Sequence, residues 1–210
     1  MMGGPRVSQN AAPVISIDAA AARAREALEA YGTAALVVAE VMEFSNHFYV
    51  LVKEKGTGIG ALELIVERNG FVHPEPGPNM MWTTKYGHMA GFGSWGMMGG
   101  GMMDGWGSGY GPGYGPGPQG FSGPCGPNTQ QPLNLTAQAV SKDRARQIAT
   151  QYLTQVFPGT TADDGTAFYG YFTFDVERSG RPAGMLSVNA YTGQVWYHNW
   201  HGTFAAEKDF

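Results

Sequence analysis

The sequence predicts an α+β protein in which two repeats of one helix packed on an antiparallel β-meander are joined by a Gly/Met-rich linker. Three observations lead there. A serine-capped stretch with helical apolar spacing occurs twice. Each copy is followed by short apolar runs broken at glycine turns. Between the copies lies a tract too rich in glycine to form a core.

The first helix opens at Ile15-Ser16-Ile17-Asp18 and stops at Tyr31-Gly32, and the second opens at Val140-Ser141-Lys142-Asp143 and stops near Phe157-Pro158-Gly159. Ser16 and Ser141 suit the N-cap, where a hydroxyl accepts an orphan amide hydrogen bond, and Asp18 and Asp143 add negative charge where the helix dipole favours it. Apolar residues at Ile17, Ala21, Ala24, Leu28 and Tyr31, and again at Ala145, Ile148, Ala149, Tyr152 and Val156, make one stripe on each helix.

Strands are expected over Ala35–Phe44 and His47–Glu54, turning at Ser45-Asn46, then over Ala61–Val66 after the Gly56-Thr57-Gly58 turn, with Asn69-Gly70 as a hairpin signal before Phe71-Val72. The second copy offers Tyr169–Glu177, the Ser179-Gly180 turn, Met185–Ala190, the Thr192-Gly193 turn and Gln194–Tyr197. The organisation that follows is a flexible N-terminus at 1–13, a module at 14–76, a linker at 77–132, a second module at 133–203 and a tail at 204–210. Each module is short enough that it is only marginally stable alone, so the two pack together or meet another chain.

The linker holds seven of the 11 methionines, between Met80 and Met103, and only two charged residues, Lys85 and Asp104. Ordering glycine costs more backbone entropy than ordering any other residue, so these methionines are expected to be displayed rather than packed inside. As a loose coil of about 55 residues the linker would span roughly 40 Å.

The order of elements resembles the PepSY module, a small extracytoplasmic domain first noted in the propeptides of secreted peptidases. The matching residues are the (Ile/Val)-Ser-x-Asp starts at 15–18 and 140–143 with their alanine-rich helices, the strands with glycine turns, and the closing Tyr191-Thr192-Gly193-Gln194-Val195 hairpin. The likeness covers about residues 14–75 and 138–200. The first copy departs at Glu67-Arg68-Asn69-Gly70, where the family has aromatic-Thr-Gly. The resemblance implies export and a binding or inhibitory role, and it brings no catalytic residues.

A net charge of −4 without a run of Lys or Arg gives no footprint for nucleic acid. No stretch approaches the roughly 18 apolar residues of a membrane span. Residues 1–14 lack the apolar core of a signal peptide, so the expected extracytoplasmic (periplasmic or secreted) location rests on the resemblance. The single Cys125 lies between Gly-Pro pairs and excludes an internal disulfide. No catalytic template fits. The chain has no Gly-x-Ser-x-Gly, no His-Glu-x-x-His and no phosphate loop, and Gly56-Thr57-Gly58-Ile59-Gly60 joins two strands with no helix after it. Asp163-Asp164 reads as a solvated turn.

Methionine and histidine carry the chemistry. Met80, Met81, His88, Met89, Met97, Met98, Met102 and Met103, with His198 and His201, form a candidate metal set. Thioethers favour Cu(I), and imidazoles accept copper in either state, so copper is the expected ion. Methionine also fills sticky interfaces, which keeps an adhesive reading open. Three residues apart on an extended segment, His198 and His201 point to opposite faces unless Gly202 allows a turn, and exposed histidines at a strand end are more often surface than ligand. His47, at the start of a strand, reads as structural. The function expected is a non-enzymatic binding protein with a metal-binding tether. The alternative is an interaction module that restrains a secreted peptidase or assists an envelope partner.

Overall fold

A computed structural model describes residues 15–30, 32–86 and 140–210. Both expected helices form where their caps place them. α1 (Ile17–Ala30) starts after Ser16, whose Oγ accepts from the Ala19 amide at 3.2 Å. Four strands follow: β1 (Leu36–Phe44), β2 (His47–Glu54), β3 (Gly60–Glu67) and β4 (Val72–Pro74). A short helix, α2 (Pro78–Met81), comes next. The second helix, α3 (Lys142–Val156), is N-capped by Ser141, which accepts from the Arg144 amide. Beyond it lie β5 (Thr161–Ala162), β6 (Thr166–Ala167), β7 (Tyr171–Arg178), β8 (Arg181–Asn189), β9 (Val195–Tyr197) and β10 (Phe204–Asp209).

Two antiparallel sheets result. The first runs β10-β1-β2-β3-β4. The second runs β5-β7-β8-β9, with β6 also on β7. The β7–β8 hairpin turns at Ser179 and Gly180, with φ of 54° and 71°, so both central residues take the left-handed conformation that twists with the strands. β8 begins at Arg181, earlier than the expected Met185. β9 reaches only Leu186–Val188, so Pro182 faces no missing ladder partner on that side.

Period-two alternation splits each sheet into two faces. Phe48, Val50, Val52, Leu62, Leu64 and Val66 close over Ala20, Ala21, Ala24 and Leu28 of α1. Phe172, Phe174, Leu186 and Val188 do the same with Ala145, Ala149 and Leu153 of α3. The opposite faces meet each other: Met42, Phe44, Tyr49 and Leu51 pack on Phe168, Tyr171 and Met185. The order of layers is helix, sheet, sheet, helix.

Two expectations about boundaries are corrected. Residues 204–210, read as a tail, contain β10, which crosses from the second sheet's side to pair with β1 from Glu40↔Asp209 to Phe44↔Phe204. Residues 77–86, read as the start of the tether, belong to the folded body. Trp82 packs with the inter-sheet cluster, the Thr84 amide donates to the Tyr169 carbonyl at 2.8 Å, and Lys85, Tyr86, Tyr169 and Thr57 all bond the Glu54 carboxylate. Tyr31, the N-terminal segment 1–14 and residues 87–139, with Cys125, lie outside the described residues.

Candidate metal centre

The inter-sheet layer is apolar at one part and polar at another. Beyond β4 the backbone continues its pairing, the Glu75 amide donating to the Glu63 carbonyl at 2.8 Å, and this puts both glutamates on the face that meets the second sheet. Asn79 of α2 fixes that corner by accepting from the Glu63 amide and donating to the Glu63 and Glu75 carbonyls. From the other side, the His198 amide donates to the Met185 carbonyl at 2.9 Å as the chain leaves β9. The chain then turns, so that His198 and His201 converge rather than diverge. The Ser45-Asn46 turn holds this crossover: Asn46 Nδ2 donates to the Trp200 carbonyl at 2.8 Å, and its Oδ1 accepts from the Gly202 amide at 2.9 Å.

Three donors meet there. His198 Nδ1 lies 3.3 Å and His201 Nε2 lies 3.0 Å from Glu75 Oε1, with all three side chains at 1% exposure or less. Ligand atoms of Glu75, His198 and His201 fall within 4.8 Å of one another. At zinc-like bond lengths near 2.05 Å, a tetrahedral site has donor–donor edges of about 3.3 Å, close to the two distances from Glu75 Oε1 to the imidazole nitrogens. His198 Nδ1, His201 Nε2 and Glu75 Oε2 have no hydrogen-bond partner although buried. Both nitrogens lie at ion-pair distance from Glu75 Oε1, but the pairing leaves them outside hydrogen-bond geometry.

The far nitrogens are engaged, as the outer shell of a metal site requires. His198 Nε2 meets Ser187 Oγ at 3.0 Å, and His201 Nδ1 meets His47 Nε2 at 2.7 Å. Rings hold the imidazoles in place: Trp200 stacks on His198 at 4.7 Å and Phe44 on His201 at 4.5 Å, while Trp200 Nε1 donates to Glu75 Oε1 at 3.1 Å.

A second carboxylate sits behind. Glu63 accepts from Tyr49 at 2.9 Å, Tyr171 at 2.7 Å and Thr173 at 2.8 Å, and Thr173 Oγ1 meets Ser187 Oγ at 2.8 Å, which links it to His198. Burial, and then the charge of Glu75, raise the Glu63 carboxyl to about 7. Burial alone would also raise Glu75, but His198 and His201 overcome it and hold that carboxyl well below the usual range. His198 moves the other way: burial would lower it, and Glu75 raises it. Burial, followed by His201, lowers His47 to about 4, which keeps it a neutral imidazole.

The line Ser187–His198–Glu75 has the order of a nucleophile, base and orienting acid. Ser187 is 0% exposed, however, and its Oγ is shared with Thr173, so the geometry offers no approach for a substrate carbonyl. Holding an ion is the chemistry that suits two imidazoles, one carboxylate and three orphaned donors.

Of the expected ligands, His198 and His201 come together, the outcome that required a turn, and they are buried rather than exposed. The turn at 199–202 is the reason. His47, read as purely structural, orients His201. Met80 is half-buried and Met81 is 55% exposed on α2. His88, Met89, Met97, Met98, Met102 and Met103 lie outside the described residues. His73 bonds Glu67 at 3.1 Å and the Pro74 carbonyl at 2.9 Å. Glu75, set between two prolines, carried no signal in the sequence. No helix among the described residues is long and apolar enough to cross a membrane. Comparison with protein-family models, curated proteins and solved structures returns no match.

Proposed function

We propose that the chain is a non-enzymatic, extracytoplasmic metal-binding protein made of two PepSY-like modules, with Glu75, His198 and His201 as ligands of the ion. One observation carries this reading: Glu75, His198 and His201 bring one ligand atom each within 4.8 Å of one another in a buried corner, where His198 Nδ1 and His201 Nε2 have no hydrogen-bond partner. The modular part draws support from α1 and α3, each capped by serine and each closing the outer face of an antiparallel sheet.

Copper is the ion of choice. Imidazole and carboxylate take Cu²⁺ above the other divalent first-row ions, and the thioethers of Met80, Met81 and the remaining methionines suit Cu(I). The test is a titration of metal-free protein with Cu²⁺ in glycine buffer, followed by paramagnetic resonance. One tight equivalent with nitrogen hyperfine structure is expected, and it disappears in a His198→Ala/His201→Ala variant. Equal binding by the two proteins would refute the assignment. A parallel Cu(I) titration against a chelator, comparing the wild type with Met→Leu variants, tests the thioethers in the same way.

A further inference from the structure

We propose that the bound ion is a clasp for the crossover between β9 and β10, so that loading sets how firmly β10 is held on β1. This rests on the metal-binding reading above. His198 and His201 bracket Asn199-Trp200 on the crossover, whereas Glu75 belongs to the β4 edge of the first sheet, the edge opposite β10. An ion joining the three ties both sheets and the crossover at one point.

Apart from its backbone ladder to β1, little anchors β10. Only its first residue, Phe204, is partly buried, packed on Phe44 at 6.1 Å, and the other five residues are exposed. Its pairing sets Asp209 opposite Glu40, two carboxylates face to face. The Lys208–Asp18 ion pair at 2.6 Å and the Arg25 contact with Phe210 at 4.8 Å are surface interactions, worth little in water. The side-chain hydrogen bonds that Asn46 donates to the Trp200 carbonyl, and that Asn46 and Ser45 accept from the Gly202 and Thr203 amides, are exposed as well. The crossover is therefore the root of β10, and without an ion its His198 Nδ1 and His201 Nε2, with Glu75 Oε2 beside them, lack hydrogen-bond partners. An ion coordinates them together and adds a tie between the crossover and the first sheet.

The test is hydrogen exchange of the full chain, read by mass spectrometry, without metal and with Cu²⁺ at 100 times its Kd. Openings that break the centre then become about 100-fold rarer. Amides of residues 199–209 are expected to slow by that factor, while those of the β7–β8 hairpin stay unchanged. Glu75→Gln, checked for folding by circular dichroism, is expected to lose the response. Unchanged exchange at 199–209 with Cu²⁺ bound through His198 and His201 overturns the clasp and leaves the metal reading intact. Absence of binding overturns both.

Discussion

Tyr171→Phe is the sharpest test of the buried polar layer. The hydroxyl donates to Glu63 Oε2 at 2.7 Å, and the ring stacks on Phe168 at 4.6 Å and 7°. Phenylalanine keeps the stacking and removes only the donor. A hydrogen bond to a charged acceptor contributes about 1.5–3 kcal/mol, and one to a neutral acceptor about 0.5–1.5 kcal/mol. Burial and Glu75 raise the Glu63 carboxyl to about 7, above its ordinary 4.5, so it is mostly ionised at pH 8 and mostly protonated at pH 5. The sign follows. A raised carboxyl stabilises below its unfolded value, and that stability is lost as pH rises through the folded value. Losing Tyr171 raises the carboxyl further and deepens the loss. Urea titration at both pH values, followed by circular dichroism, is expected to show a cost of about 2 kcal/mol at pH 8 and under about 1 kcal/mol at pH 5. An equal cost at both, or less than about 0.5 kcal/mol at pH 8, refutes the picture of a carboxylate held by hydroxyls.

Other outcomes follow from separate features. Gly170 has φ of 108°, and an added Cβ would run into the Trp82 carbonyl. Gly170→Ala is expected to lower stability by at least about 2 kcal/mol in thermal or urea unfolding, with Gly180→Ala, which has open space around it, costing about 1 kcal/mol. At the other end of the inter-sheet layer, burial, then Glu207 and Asp209, raise Glu40 to about 7, and burial, then Asp163, raise Asp175. Glu40 makes the protein more stable as pH falls from about 7 towards 4.5, by roughly 3 kcal/mol, Asp175 acts in the same direction, and Glu40→Gln is expected to flatten that rise. Below the ordinary 4.5 the trend reverses, because Glu75 is held low and its ion pairing with His198 is lost on protonation. Asn46→Ala releases the Trp200 carbonyl and the Gly202 amide, and is expected to speed exchange of residues 199–204 with the β7–β8 amides unaffected.

The helices were legible because their causes are local: a serine cap, an acid in the first turn and one apolar stripe. β1, β2, β3 and the β7–β8 hairpin were legible from alternation and turn glycines. β10 was not. Phe-Ala-Ala-Glu-Lys-Asp shows no alternation, and its strand conformation comes from pairing with β1 far away in the chain. Glu63 alternates cleanly with Leu62 and Leu64, which by itself points it to solvent, and only the second sheet makes it a buried acceptor. The centre was half legible. His198 and His201 stood out as residue types, but the turn that joins them depends on Ser45 and Asn46, and Glu75 meets Trp200 across 125 residues of sequence. No local pattern encodes such a meeting.

The return of β10 to β1 has a consequence for biosynthesis. His47 and His201, which touch in the finished protein, are 154 residues apart in the chain. At ribosomal speed that separation lasts on the order of ten seconds. Throughout that interval the edge of β1 stands bare, with Val41 and Phe44 beside it. The nascent chain therefore passes through a stage with an open sheet margin, where a holding chaperone would matter most.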